Sequence, residues 1–162
     1  MEITLETKDR QFVSIPRKYA EISGYVRKKI EPDSEFPLLL KLDFPSEHIE
    51  DVVQYMYHHA GIEAPLVKKP LKGCQMVTNC DDPWDAHFID NFDTKPHQLF
   101  SFINTVAALE IPGLIHLGCA KIASLIKKGP LENMQDNLAF YKPIQSTPLV
   151  KKSWCPTSCI LL

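Results

Sequence analysis

Long apolar runs and strong net charge are both lacking in this sequence. No stretch approaches the about 20 apolar residues of a membrane-spanning helix, and no basic-then-apolar leader is present, so we expect neither a membrane span nor a secretory signal. The formal net charge is only −2, which does not provide the basic surface typical of nucleic-acid-binding proteins. We therefore expect no nucleic-acid partner.

Signatures of catalysis are lacking as well. The sequence has no Gly-x-Ser-x-Gly motif, no phosphate-binding loop and no dinucleotide-binding fingerprint. Nucleophilic catalysis needs a cysteine or serine beside a base, whereas Cys119 falls in an apolar helical stripe, where cysteine is usually a small buried hydrophobe. We predict that the protein is not an enzyme and needs no cofactor.

The cysteines and histidines do not form a recognisable metal-binding pattern. Cys74 and Cys80 are spaced unlike a zinc knuckle, and His58 and His59 occupy adjacent helix positions, which we expect to point apart. We predict no metal site. Without a secretory leader, the cysteines are expected to be free thiols in a reducing compartment. The five cysteines are Cys74, Cys80, Cys119, Cys155 and Cys159.

Alternation of apolar and polar residues predicts three strands in the first part of the chain. A helix is expected to begin near Pro16, with Tyr19, Ile22, Val26 and Ile30 at helical spacing. A second helix, with Ser46 as its N-cap, ends near Gly61. This mixture predicts an α+β domain. The apolar positions of the strands are Ile3 and Leu5, Val13 and Ile15, and Leu38, Leu40 and Leu42.

Residues 62–82 have no helical or strand period, so we predict a loop there. Two helices are expected after it, separated by Pro112-Gly113. The first carries an apolar stripe of Leu99, Phe102, Ile103 and Val106. The second is apolar around most of its circumference, and such a helix needs cover on two sides. We hypothesise that one side is its own core and the other a partner protein.

Two apolar lines are predicted on this second helix, and only a narrow strip of its surface is polar. The first line holds Leu114, Leu117 and Leu125, the second holds Ile115, Cys119, Ile122 and Ile126, and the polar strip holds His116, Lys121, Ser124 and Lys128.

Several of these segments resemble the S-phase kinase-associated protein family, the Skp adaptors of F-box ubiquitin ligases. Trp84-Asp85 followed by Phe88 resembles the family's Trp-Asp-x-x-Phe segment, and residues 109–114 resemble its Leu-Asp-Ile-Lys-Gly-Leu turn. His58-His59 is similar to its His-His helix end. The resemblance implies a BTB/POZ-like domain over residues 1–110, with the loop 62–82 inside it. A helical F-box-binding extension over 111–141 and a tail over 142–162 would follow.

The resemblance also implies two binding surfaces. The cullin-facing residues would be Ile103, Ala107 and Ala108, but the family carries an Asn-Tyr pair where this chain has the two alanines. Since aromatic anchors often dominate interfaces, we expect weaker cullin binding or a different cullin. Loop 62–82 also differs from the family, because it is basic here, whereas the corresponding loop of the family tends to be acidic. The implied F-box-binding groove contains Leu114, Leu117, Ile122, Leu125, Ile126, Leu131, Met134 and Trp154.

The tail carries a candidate lipidation signal. Cys159-Ile160-Leu161-Leu162 is a CaaX-like box of the geranylgeranyl type, and Cys155 is a candidate for palmitoylation. One lipid chain holds a membrane only marginally, so a second signal would matter. The alternative is an unmodified apolar terminus.

We therefore predict a non-enzymatic adaptor that links F-box proteins to the N-terminal domain of a cullin in the cytoplasm and nucleus. A prenylated, membrane-associated scaffold with weak cullin binding is one alternative. An adaptor similar to elongin C is another.

Overall fold

The computed structural model describes residues 2–30, 38–93 and 95–128. Within these residues the chain forms three short strands and six α-helices, which confirms the predicted α+β class. The strands are β1 (Glu2–Glu6), β2 (Phe12–Pro16) and β3 (Leu38–Lys41), and the helices are α1 (Arg17–Ala20), α2 (Gly24–Lys29), α3 (Ser46–His58), α4 (Pro83–Asp90), α5 (Pro96–Ala108) and α6 (Pro112–Lys128). Two 3-10 helices accompany them, Met76–Thr78 and Asn91–Asp93.

The sheet has the order β2-β1-β3, with β1 antiparallel to β2 and parallel to β3. Ile3 of β1 lies opposite both Ile15 and Leu38. Ile3, Leu5, Ile15 and Leu40 are buried, as alternation on a half-buried sheet requires. The strand prediction is confirmed, including the face that each strand presents to the core.

The helix expected after Pro16 is in fact two short helices. Ser23 separates α1 from α2 because its hydroxyl accepts a hydrogen bond from the amide of Val26 at 3.2 Å, which caps α2. The same hydroxyl donates to the carbonyl of Leu109, at the end of α5. The single-helix prediction was wrong because the apolar spacing of residues 19–30 continues across this cap.

The start of α3 also differs from the prediction. Ser46 is the first helical residue rather than the N-cap, and Pro45, which has no capping side chain, precedes it. The amide of Ser46 donates instead to Oδ2 of Asp9, at 2.9 Å, from the turn between β1 and β2. The cap is therefore supplied from 37 residues away. The helix ends at His58, three residues before the predicted stop at Gly61, and Gly61 lies in the turn that follows, with a left-handed backbone at φ +79°.

The predicted loop 62–82 contains no strand or α-helix and holds one 3-10 helix. Its anchor is Met76, which is fully buried, together with the side chain of Asn79. The Asn79 carboxamide accepts from the amide of Lys72 at 2.7 Å and donates to the carbonyl of Gln75 at 2.8 Å. These contacts give the loop a fixed shape without a regular period.

The last two helices pack closely against each other. Phe102 and Val106 of α5 are fully buried, as the stripe in the sequence predicts. A Cβ atom on Gly118 of α6 would lie only 2.7 Å from Cγ1 of Ile103, so the glycine allows the two helices to approach. Among the described helices, none combines the length and apolar character needed to cross a membrane. A domain boundary at residue 110 stays a prediction.

Candidate functional site

One face of α6 carries apolar side chains that the described chain covers only in part. Ile115, Ile122 and Ile126 are partly buried, and Cys119 is exposed. We call these four residues the outer face of α6. They form the second of the two apolar lines predicted from the sequence, and their spacing of four, three and four residues places them on one side of the helix.

The first apolar line lies mostly in the core. Leu114 and Leu117 are 0% and 3% exposed, because α6 packs this side against α4 and α5. We therefore correct their assignment to an open groove: the chain itself already covers both side chains. Leu125, further along the same line, is partly buried.

Two members of the polar strip of α6 are buried in the structure. Lys121 is 3% exposed, and its Nζ lies 2.6 Å from Oδ1 of Asp90 and 2.7 Å from Oδ1 of Asp93. Ser124 is buried and donates its hydroxyl hydrogen to the carbonyl of Lys121 at 2.8 Å. Cys119, predicted to be buried, is exposed instead. A buried ion pair therefore sets which face of α6 turns outward.

This ion pair was missed by the sequence reasoning, although a signal was present. Asp90 ends α4, and Asp93 ends the 3-10 helix that follows it. Lys121, which lies between Ala120 and Ile122 in the sequence of α6, is the complementary signal, because a buried cation requires a counter-charge.

The predicted cullin-facing residues lie in the second half of α5. Ala107 and Ala108 are exposed at the end of the helix, while Ile103 is partly buried against Gly118 of α6. The five remaining sequence-predicted site residues lie outside the described residues, and their roles stay predictions. These are Leu131, Met134, Trp154, Cys155 and Cys159.

A second cluster joins the end of α3 to the start of α4. His58 Nε2 lies 2.8 Å from Oδ2 of Asp82, and His59 Nε2 lies 2.7 Å from Oδ1 of Asp85. The His58 ring also stacks on Trp84, with centroids 4.0 Å apart and planes 7° from parallel. We expected the two histidines to point apart, and this prediction was wrong. The helix ends at His58, and the backbone turns there.

Hydrogen bonds, burial and neighbouring charges shift the pKa values of two residues near this cluster. The hydrogen bond from His58, followed by that from the amide of Trp84, lowers the pKa of Asp82. Burial, followed by the charges of Asp85 and three other aspartates, raises the pKa of the Cys80 thiol to about 11. Cys80 is therefore a protonated thiol at neutral pH, a poor nucleophile.

A separate cleft is lined by residues of α3, α4 and α5, and Phe88 and Phe92 contribute its aromatic side chains. Burial, followed by the neighbouring Glu47 and Glu50, raises the pKa of Asp51 at its edge to about 6. Glu47 is held by Lys95, with Oε1 and Nζ 3.1 Å apart. A single carboxyl group without a nucleophile beside it does not form a catalytic pair.

Comparisons with curated proteins show consistent similarity over most of the chain. No protein-family model matches the sequence. The chain is 27% identical over 126 residues to the "S-phase kinase-associated protein 1 homolog" of Tetrahymena thermophila, covering 78% of this chain and 74% of the relative. It is 28% identical over 134 residues to the "E3 ubiquitin ligase complex SCF subunit sconC" of Arthroderma benhamiae, covering 81% and 79%. The protein of that name from Talaromyces stipitatus is 25% identical, with 81% and 80% covered.

Proposed function

We propose that the chain is a member of the Skp family and a non-enzymatic adaptor of an SCF-type ubiquitin ligase. It would link F-box substrate receptors to a cullin scaffold. The names of the relatives support this assignment, since they describe an S-phase kinase-associated protein and SCF ligase subunits. Those names favour the Skp type over an adaptor similar to elongin C.

The three-stranded sheet with α1 to α5 around it corresponds, in our proposal, to a BTB/POZ-type domain. The helix that follows, α6, then serves as the receptor-binding element. The observation that carries this proposal is the outer face of α6, where isoleucines remain partly uncovered although α6 is anchored on its other side. Partly exposed aliphatic side chains at helical spacing are typical of surfaces that bind a partner helix.

The outer face provides a direct test. We expect Ile122→Asp and Ile126→Asp each to weaken binding of an F-box peptide by at least about tenfold, because burying one isoleucine contributes about 1.5–3 kcal/mol. A carboxylate in the same interface adds a desolvation penalty. Fluorescence anisotropy with a labelled peptide from a panel of F-box proteins measures the effect.

Ile62→Asp is the matched control, because it makes the same chemical change at an isoleucine that is 73% exposed and lies away from α6. Circular dichroism should show that all three variants keep the wild-type helix content. If the α6 variants bind as tightly as the wild type and Ile62→Asp, the receptor face is not on this side of α6.

The cullin contact is proposed at the end of α5, around Ala107 and Ala108. Their exposed methyl groups offer neither a hydrogen bond nor an aromatic anchor, so we propose that this contact is weaker or suits a different cullin. Pull-down with the N-terminal domains of several cullins, in the presence of an F-box peptide, distinguishes these possibilities. If none of the cullin domains binds, the protein binds only the receptor, and the bridging role is contradicted.

We propose prenylation of Cys159 and a membrane-bound pool beside a cytoplasmic and nuclear one. The support is the sequence of the final four residues, which has the geranylgeranyl form of the signal. The intact mass of protein isolated from cells is expected to show a prenyl group and the loss of Ile160-Leu161-Leu162. A mass that includes these three residues and no lipid would contradict prenylation.

A further inference from the structure

The cluster at the α3–α4 junction brings together side chains that ligate metal ions. One donor atom from each of His58, His59 and Asp82 lies within 4.8 Å of the others. The Asp85 carboxylate adjoins them, with Oδ1 2.7 Å from His59 Nε2. We call these four residues the His-Asp cluster. None of them belongs to the outer face of α6 or to the end of α5, and the proposed adaptor function assigns them no role.

The charges around the cluster favour a cation. Apart from the two imidazoles, the cluster holds the carboxylates of Asp82 and Asp85, and Asp81 adds a third that Lys68 pairs at 3.1 Å. The carboxyl end of α3 also directs the negative end of its dipole toward the histidines.

The spacing of the donor atoms leaves room for a metal ion, and a small movement would bring them to bonding distance. Ligands at about 2.1 Å from a tetrahedral ion lie about 3.4 Å from one another. The donor atoms of His58, His59 and Asp82 lie within 4.8 Å of one another, so the widest pair must approach by at most about 1.4 Å. His58 is exposed at the end of its helix and has room to make this adjustment. A bond to Nε2 lies in the plane of the imidazole, so the stacking on Trp84 is preserved.

We propose that the His-Asp cluster binds a divalent transition-metal ion, of which Zn²⁺ is the best match. Two imidazole nitrogens with carboxylate oxygens suit zinc and its neighbours rather than Mg²⁺ or Ca²⁺, which prefer oxygen ligands alone. The ion would replace two separate His–Asp hydrogen bonds by one centre that links the end of α3 to the start of α4. Its role would therefore be to fix the junction between these helices.

Isothermal titration calorimetry of the full chain, purified without a polyhistidine tag, tests the proposal with Zn²⁺ alone. We expect one ion per chain and a loss of affinity of at least about tenfold in His58→Gln and in Asp82→Asn. His97→Gln is the matched control, because His97 is an exposed histidine on α5. Wild-type affinity in the two cluster variants, or no binding at millimolar Zn²⁺, would overturn the site.

Absorption spectroscopy with Co²⁺ separates this site from binding to cysteine. Nitrogen and oxygen ligands give visible bands without a sulfur-to-metal charge-transfer band, and we expect this spectrum in the wild type. A charge-transfer band would place the ion on a thiol and contradict the proposal. Because the spectrum reports the ligands directly, it remains decisive even if a cluster variant is less stable. Binding of the F-box peptide is measured separately. The metal site and the adaptor function can therefore each be contradicted without the other.

Discussion

Replacing both Asp90 and Asp93 by asparagine is expected to destabilise the fold by about 3 kcal/mol. The change leaves the Lys121 ammonium, which is 3% exposed, without either counter-charge. Breaking a buried ion pair from one side costs about 3–5 kcal/mol, and we take the lower end because both carboxylates are themselves more than a third exposed and therefore screened by solvent. Urea denaturation at neutral pH, followed by circular dichroism, measures the loss.

The decisive control adds Lys121→Met to the same double variant. Methionine has a similar volume and no charge, so most of the lost stability should return. If the triple variant is as unstable as the double variant, the loss comes from the asparagines and not from an unpaired lysine. The F-box-peptide affinity should follow the same order, because the ion pair determines which side of α6 faces outward.

Gly61→Ala is expected to cost about 3 kcal/mol of stability. Gly61 has a left-handed backbone with φ +79°, and an added Cβ atom would lie 2.1 Å from the carbonyl oxygen of Lys18. The left-handed backbone costs a residue other than glycine about 1–2 kcal/mol, and overpacking against an atom that cannot move adds about 1–3 kcal/mol. Thermal unfolding of the variant and the wild type at equal concentration measures the difference.

Gly73→Ala is the matched control for this change. Its added Cβ atom would lie 3.0 Å from the Oγ1 atom of Thr78, a side-chain atom that can shift while its hydroxyl keeps a hydrogen bond to the carbonyl of Gln75, and the backbone of Gly73 is not left-handed. We expect its stability to stay within about 1 kcal/mol of the wild type. Similar losses at both glycines would show that the loop tolerates neither change and that the contact with Lys18 is not the cause.

The candidate site could be predicted from the sequence in part. The line of Ile115, Cys119, Ile122 and Ile126 was identified correctly as a continuous apolar stripe, because residues on one helix face recur at three and four positions. Which stripe would face outward could not be derived. Leu114 and Leu117 have the same chemistry, and only the packing of α6 on α4 and α5 distinguishes them.

The same limit explains the errors on polar residues. Sequence reasoning assigned Lys121 to a polar strip and did not predict its burial, because lysine is rarely buried without a partner and the partners, Asp90 and Asp93, belong to other elements. The capping of α3 by Asp9 and the convergence of His58 and His59 were missed for the same reason. Each depends on two segments that are distant along the chain and meet only after folding.

The sequence by itself determined the local elements: the strand faces, the turn at Gly61, the break at Pro112-Gly113 and the resemblance to the Skp family. These follow from side-chain spacing and from the backbone preferences of glycine and proline, which act over a few residues. Only the tertiary structure decided which apolar line of α6 is covered, because burial depends on the neighbours that the fold brings alongside. The buried Lys121 orients that helix, and its charge is compatible with a core only where two carboxylates meet it.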